Sequence, residues 1–123
     1  KKGIPVDLTG NGGGFVFDCR GLPNPHRISN LRDLTGEDLP IVEYMNAQPT
    51  TKVFLKNAFA LVDLSIKNYL DRDFKNLQVS FGCTGGRHRS VFSAVQLQQH
   101  LRKQFPQVKI LLQHLEINSQ HHD

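Results

Sequence analysis

A glycine-rich turn between an apolar run and a helical pattern constrains this chain more than any other segment. The turn spans residues 83–90, follows the apolar run 77–81 and leads into the helical pattern. This order of strand, turn and helix gathers backbone N–H groups at a helix N-terminus, where the helix dipole also favours negative charge. The same turn carries three basic side chains, Arg87, His88 and Arg89. The sequence therefore predicts a binding site for a small anion such as phosphate.

A second polar segment follows another short apolar run. Residues 15–20 predict a buried strand that includes Asp18 and Arg20, and the loop after it carries His26 and Arg27. Two prolines exclude a regular helix or a central strand in that loop. In open α/β sheets, ligands bind at the edge where parallel strands end. We therefore expect the His26 loop and the glycine-rich turn to face one cleft.

Strand and helix patterns alternate along the chain, which predicts an α/β domain of two or three layers with a small, mainly parallel sheet. We expect one domain over residues 1–123, with a flexible loop at 1–14 and a frayed tail at 117–123. Thr50 or Thr51 is predicted to cap the second helix. The predicted strands are 15–20, 77–81 and 108–112, extendable to 115, and the predicted helices are 39–47, 51–72 and 89–105.

Composition restricts the class of protein. The chain has 123 residues, 38% of them hydrophobic, and no apolar run approaches the roughly 20 residues that span a membrane. The net charge of +4 permits an anionic partner without requiring nucleic acid. Cys19 and Cys83 are too few for a disulfide scaffold and lack metal-ligand spacing, so we expect reduced cytoplasmic thiols, no metal and no cofactor. Because the chain does not begin with Met, we expect it to be a piece of a longer protein.

The glycine-rich turn also matches the pattern C-x-x-G-x-x-R-S of cysteine-dependent phosphatases. In such an enzyme Cys83 would be the nucleophile, Arg89 would hold the phosphoryl oxygens and Asp18 would protonate the leaving group. Gly82 stands where those enzymes usually have His. On these residues alone, phosphate-type binding ranks first, a purely structural turn second and a phosphatase third. A nucleotide-hydrolysing P-loop is excluded, because the turn lacks the required Gly-Lys pair.

Two long motifs carry a family resemblance: V-F-D-C-R-G-L-P-N-P-H at 16–26 and G-C-T-G-G-R-H-R-S-V at 82–91. With shorter matches at 31–32, 34–36 and 38, they resemble the C-terminal domain of the RapZ RNase adapter family. The resemblance implies an α/β fold similar to a phosphofructokinase subdomain, and binding of the amino-sugar phosphate glucosamine-6-phosphate. It implies a separate N-terminal nucleotide-binding domain and, in enterobacterial members, binding of a small regulatory RNA. The family's ligand residues fall on His26, Thr84, Gly85, His88 and Arg89.

The C-terminus departs from the RNA-binding members of that family. Those members end in a basic tail around a Leu-Glu pair, whereas here Leu115-Glu116 is followed by Ile-Asn-Ser-Gln at 117–120. Without those charges, much of the attraction to a phosphate backbone is lost. We therefore expect a non-catalytic, regulatory domain that senses a phosphorylated amino sugar, with an RNA-adapter module as one alternative and the phosphatase as another.

These expectations name partners and residues. The expected partners are a small anionic ligand, an N-terminal domain outside this chain, RNA under the alternative and a second copy in a homo-oligomer, with no membrane. The candidate ligand-binding residues are Asp18, Arg20, His26, Thr84, Gly85, Gly86, Arg87, His88, Arg89 and Ser90.

Overall fold

The computed structural model describes residues 14–72, 77–83 and 87–112. The fold is α/β, as the alternating patterns predicted. The predicted loop at 1–14, except Gly14, and the predicted tail at 117–123 lie outside the described residues. The elements are β1 (Gly14–Asp18), a short 3-10 helix (Pro25–Arg27), α1 (Leu39–Asn46), α2 (Pro49–Asp71), β2 (Gln78–Gly82) and α3 (Arg89–Gln104).

The two strands pair in parallel, so α1 and α2 form the crossover between them. The register joins Gly14 to Gln78 at one end and Asp18 to Gly82 at the other. Both strands therefore end at the same edge, one leading into the His26 loop and the other into the glycine-rich turn. The strand boundaries differ by one or two residues from the predicted 15–20 and 77–81.

One face of this small sheet is covered by helices. Phe17 stacks on Phe81 of the neighbouring strand, and Phe54 of α2 meets both rings edge-on. Val16, which points to the opposite face, is 56% exposed. This alternation is the period-2 signature of a strand with one buried face. In the described part of the chain, sheet and helices therefore form two layers.

The interior divides into two hydrophobic clusters. One lies under the sheet and joins α2 to α3 through Val62, Ile66, Leu97, Leu101 and Phe105. The other lies beneath the edge of the sheet where both strands end, and there Phe92 at the start of α3 is fully buried. Its other buried members come from the first loop, α1 and α2: Cys19, Leu22, Leu31, Ile41, Met45 and Leu55. A close-packed interior at this end holds the first turn of α3 in place.

Two sequence-based predictions about elements are wrong. The predicted third strand at 108–112 is not a strand, although the side chains of Val108 and Ile110 pack on the second cluster. The sequence pattern of 108–112 suggested an extended segment. A strand also needs a hydrogen-bonded partner strand, and the pattern of one segment does not show whether such a partner is present. The predicted threonine cap is also absent, since Gln48 is the N-cap of α2 and Thr51 is fully buried inside the helix. Pro49 starts the helix earlier, because a first-turn residue needs no N–H.

None of the helices in the described ranges is long and apolar enough to cross a membrane.

Candidate functional site

The parallel register brings the two polar segments together. The ladder continues one residue past β1, where the Cys19 amide donates to the Gly82 carbonyl at 2.6 Å. Beyond that point the His26 and His88 rings face each other with their centroids 6.2 Å apart. The fold therefore brings His26 and His88 close together, and the cleft expected between the two segments stays a prediction.

The backbone of the His26 loop is held rigidly although its side chain is exposed. The Asn24 side chain accepts a hydrogen bond from the His26 amide at 3.0 Å, which caps the short helix that begins at Pro25. The Arg32 Nε donates to the His26 carbonyl at 2.9 Å. Pro25 is buried and fixes the backbone further. His26 is therefore presented to solvent from a preorganised loop.

His88 is the N-cap of α3 and is only 5% exposed. Its Nε2 atom is buried and has no hydrogen-bond partner among the described residues. Buried polar atoms normally have a partner, so this ring nitrogen is an unsatisfied polar atom at a helix N-terminus. The neighbouring Arg87 has a buried Nε that also lacks a partner in the described ranges.

The charge state of His88 follows from its burial. Desolvation lowers the pKa of His88 below the ordinary histidine value of 6.5, and the charges of Arg87 and His26 act in the same direction. Hydrogen bonding to the backbone of Leu34 and Arg32 opposes this shift. Since burial is the largest cause, the ring is neutral near pH 7 in the absence of ligand.

Gly36 packs against Arg87 and His88, the two residues that precede α3. The Gly36 amide donates to the Arg87 carbonyl at 2.9 Å. A Cβ atom at Gly36 would collide with the backbone of Phe92 and His88. The turn at 35–38 therefore presses directly on the first turn of α3, and only glycine permits that approach.

Arg89 connects the two loops. Its side chain is 5% exposed, and Nη1 donates to the carbonyls of Arg20 at 2.8 Å and Leu22 at 3.2 Å. The sequence predicted Arg89 as an anion ligand. The structure adds a positioning role, because one guanidinium holds the start of α3 against the loop that carries His26.

Asp18 and Arg20 form an exposed pair at the end of β1. Arg20 donates through Nε and Nη2 to the Asp18 carboxylate, with Nη2 2.7 Å from Oδ2. The bonds from Arg20 lower the pKa of Asp18 to about 2. Asp18 is therefore a carboxylate at neutral pH and an acceptor only, so it holds no proton to give to a phosphatase leaving group.

The two cysteines lie side by side at the strand ends and face α3. The Cys83 thiol donates to the Ser90 hydroxyl at 3.4 Å, and the Cys19 thiol donates to Ser93 at 3.7 Å. Burial raises the pKa of Cys19 to about 11, so this thiol stays protonated. Ser90 is buried, and its hydroxyl is a partner of Cys83.

Three predicted ligand residues, Thr84, Gly85 and Gly86, lie outside the described residues. Within the described ranges, no group of three or more His, Cys, Asp or Glu side chains could hold a metal ion.

Sequence reasoning missed several residues that shape the edge. Gly36 and Asn24 both act through the backbone, and only a turn signal at 35–38 and an Asn before Pro pointed to them. Tyr44 lies on α1 but lines the same depression as Arg27 and Arg89. No local pattern could have found this neighbour, because the packing of α1 against the first loop brings it there.

Comparison with known proteins agrees with the two motifs. A family model described as the RapZ C-terminal domain matches residues 1–118. The chain is 39% identical over 109 residues to a nucleotide-binding protein of Acidobacterium capsulatum. This alignment covers 89% of this chain and 34% of that protein. It is 38% identical over 119 residues to a nucleotide-binding protein of Leptothrix cholodnii. That alignment covers 97% of this chain and 35% of the relative. The chain thus spans about a third of the length of these curated relatives. On the family match and the shared motifs, this chain belongs to the RapZ C-terminal domain family.

Proposed function

We propose that this domain binds a small phosphorylated amino sugar, without transforming it, in the cleft between the His26 loop and the start of α3. The observation that carries the proposal is the buried Nε2 atom of His88, which has no partner among the described residues. Leaving such a group unpaired costs about 1–3 kcal/mol. A phosphate oxygen at this atom would recover that cost and would favour the protonated form of the ring.

The surroundings of His88 favour an anion. The N-terminus of α3 contributes its backbone N–H groups and its dipole. Arg87 adds a positive charge, and its buried Nε also lacks a partner in the described ranges. The exposed His26 ring, 6.2 Å from the His88 ring, is placed to contact the rest of the ligand.

The choice of an amino sugar rests on the family resemblance, which points to glucosamine-6-phosphate. Asp18 is ionised and lies at the end of the strand that leads to His26, but its oxygens already accept hydrogen bonds from Arg20. The proposal therefore assigns no contact with the amino group to Asp18.

The relatives carry the name nucleotide-binding protein, and nucleotides also contain phosphate. That name describes proteins about three times as long as this chain. We therefore assign nucleotide binding to no residue of this domain, and nucleotides enter the experiment as competitors.

Isothermal titration calorimetry at low salt tests the proposal. We expect glucosamine-6-phosphate to bind more tightly than glucose-6-phosphate, and glucosamine without phosphate to give no heat. His88→Gln should weaken binding of both phosphates by about tenfold, which corresponds to roughly 1.4 kcal/mol. His100→Gln makes the same exchange at a histidine that pairs with Asp63 between α2 and α3, and it should leave the affinity unchanged.

Two results would contradict the proposal. The absence of heat with either sugar phosphate would remove the site, and tighter binding of ATP or GTP than of glucosamine-6-phosphate would replace the ligand. Inorganic phosphate released in the same mixtures, and abolished by Cys83→Ser, would show catalysis instead of binding.

A further inference from the structure

A second basic depression lies beside the histidine cleft. It has a volume of about 520 Å³ and lies between the first loop, the start of α3 and α1. Three arginines line it, Arg20, Arg27 and Arg89, together with Asn24 and Tyr44. Neither His26 nor His88 is among its lining residues. The volume is in the range of small-molecule sites, roughly 300–1,000 Å³.

The charges around this depression do not balance. Among the described residues no aspartate or glutamate lines it, and the one carboxylate of that part of the chain that pairs with a lining arginine is Asp18, which accepts from Arg20. Arg27 is exposed and forms no ion pair with a described residue. Like charges gathered around one concave surface repel each other unless an anion neutralises them.

Arg89 makes the imbalance more severe because it is buried. Its Nη1 atom donates to the backbone carbonyls of Arg20 and Leu22, which carry only partial charge. Within the described residues no carboxylate lies at salt-bridge distance from it. Asp18 is near enough for the Arg89 charge to help lower its pKa, but Arg20 already occupies its oxygens. A nearly buried guanidinium without a counter-charge is costly, and a bound anion would supply that charge.

The polar groups beside the arginines are donors. The Asn24 Oδ1 atom is engaged by the His26 amide, so the side-chain amide nitrogen is the group that remains for a ligand. The Tyr44 hydroxyl can donate in the same way. Guanidinium groups bind phosphate and carboxylate oxygens in pairs, which gives such a site its preference for planar or tetrahedral oxyanions.

We infer that this arginine depression is a second anion-binding site, which takes a small ligand with two or more phosphate or carboxylate charges. It goes beyond the sugar-phosphate site proposed above, because Arg27 and Tyr44 line it and neither histidine does, although Arg20 and Arg89 are also candidate ligands of that site. The two sites share the loop that Arg89 holds in place.

Calorimetric titration of the 123-residue chain with inorganic pyrophosphate tests this site, and citrate serves as the carboxylate arm. We expect Arg27→Ala to weaken pyrophosphate binding by about tenfold, and Arg27→Lys to restore part of the loss, since charge contributes and paired hydrogen bonding adds to it. Arg102→Ala removes an exposed arginine near the C-terminal end of α3 and should leave binding unchanged. Tighter binding of pyrophosphate than of citrate would identify a phosphate ligand, and the reverse a carboxylate ligand.

Independence from the histidine cleft is tested in the same series. We expect His88→Gln to leave pyrophosphate binding unchanged, and pyrophosphate to bind equally well when glucosamine-6-phosphate is saturating. The inference is overturned if Arg27→Ala has no effect, if Arg102→Ala has an equal effect, or if His88→Gln rather than Arg27→Ala abolishes binding. Sugar-phosphate binding that persists in Arg27→Ala would separate a failure here from a failure of the proposed function.

Discussion

Polar residues follow or end both strands, but they are exposed at the end of β1 and buried after β2. At the end of β1, Asp18 and Arg20 are both more than half exposed and satisfy each other. After β2, His88 and Arg89 are both 5% exposed, and His88 has a buried nitrogen without a partner in the described ranges. The first two side chains pair with each other, whereas the second two have no carboxylate partner among the described residues. Burial therefore distinguishes the exposed salt bridge from the proposed anion site.

The largest effect should come from Arg89. Arg89→Ala leaves the carbonyls of Arg20 and Leu22 without their charged donor, so we expect the free energy of unfolding to fall by about 2–3 kcal/mol. Arg20→Ala removes the same side chain from the exposed pair and should change stability little, because exposed ion pairs contribute little. Urea denaturation of both variants measures the contrast. Equal losses would show that burial does not separate the two strand ends.

A backbone change at Gly36 should come next. A Cβ atom there would overlap the backbone at the start of α3, so Gly36→Ala should destabilise the fold by about 1–3 kcal/mol and displace His88. Gly21→Ala is the matched control on the β1 side, because a Cβ atom at that position meets nothing within 4 Å. Thermal unfolding and sugar-phosphate titration report the two consequences. Unchanged affinity in a folded Gly36→Ala protein would show that the 35–38 turn does not position the site.

The pH response of His88 should be smaller. Its pKa in the folded state lies below the ordinary histidine value of 6.5, so the unfolded chain binds the proton at a higher pH than the folded chain does. Stability without ligand should therefore fall as the pH drops through about 6.5, since stability decreases with falling pH wherever the unfolded state binds more protons. Sugar phosphate should reverse this trend by favouring the protonated ring. Urea midpoints between pH 7.5 and 5.5 test this, and His88→Gln should remove the ligand-dependent reversal.

The smallest effect concerns Asp18. Hydrogen bonds from Arg20 are the main reason that the pKa of Asp18 is about 2, so Arg20→Ala should raise this pKa towards the ordinary aspartate value of 3.8. The pair's contribution is present above pH 3.8 and is lost as the pH falls towards 2. Carboxyl chemical shifts followed by NMR measure this titration. A pKa that stays near 2 in Arg20→Ala would show that another group holds the charge.

Local patterns predicted most of the secondary structure. The helices 39–47 and 89–105 match α1 and α3 to within one residue at each end, because apolar spacing and flanking prolines mark helices well. The third strand failed because pairing is a property of two segments, and the threonine cap failed because Pro49 begins the helix two residues earlier than predicted. The parallel pairing of the two strands followed from the alternation of strands and helices, which confines the topology to few solutions.

The candidate site was only partly predictable. Sequence alone indicated that His26 and the turn at 83–90 would share one edge, since both follow strands of one parallel sheet. It could not indicate that Arg89 would be buried, that Gly36 would press on α3, or that Tyr44 would join Arg27 around a depression. These facts depend on contacts between residues far apart in the chain, which local composition does not encode.

The amino-acid sequence by itself determined the α/β class, the edge at which polar residues gather and the membership in the RapZ C-terminal domain family. Periodicity and turn chemistry act over a few residues, and they are legible without a fold. Only the tertiary structure decided which polar groups pair with each other and which are buried without a partner among the described residues. That outcome is set by burial, because desolvation makes an unpaired group such as His88 or Arg89 costly, while solvent makes the Asp18–Arg20 pair nearly neutral in its effect.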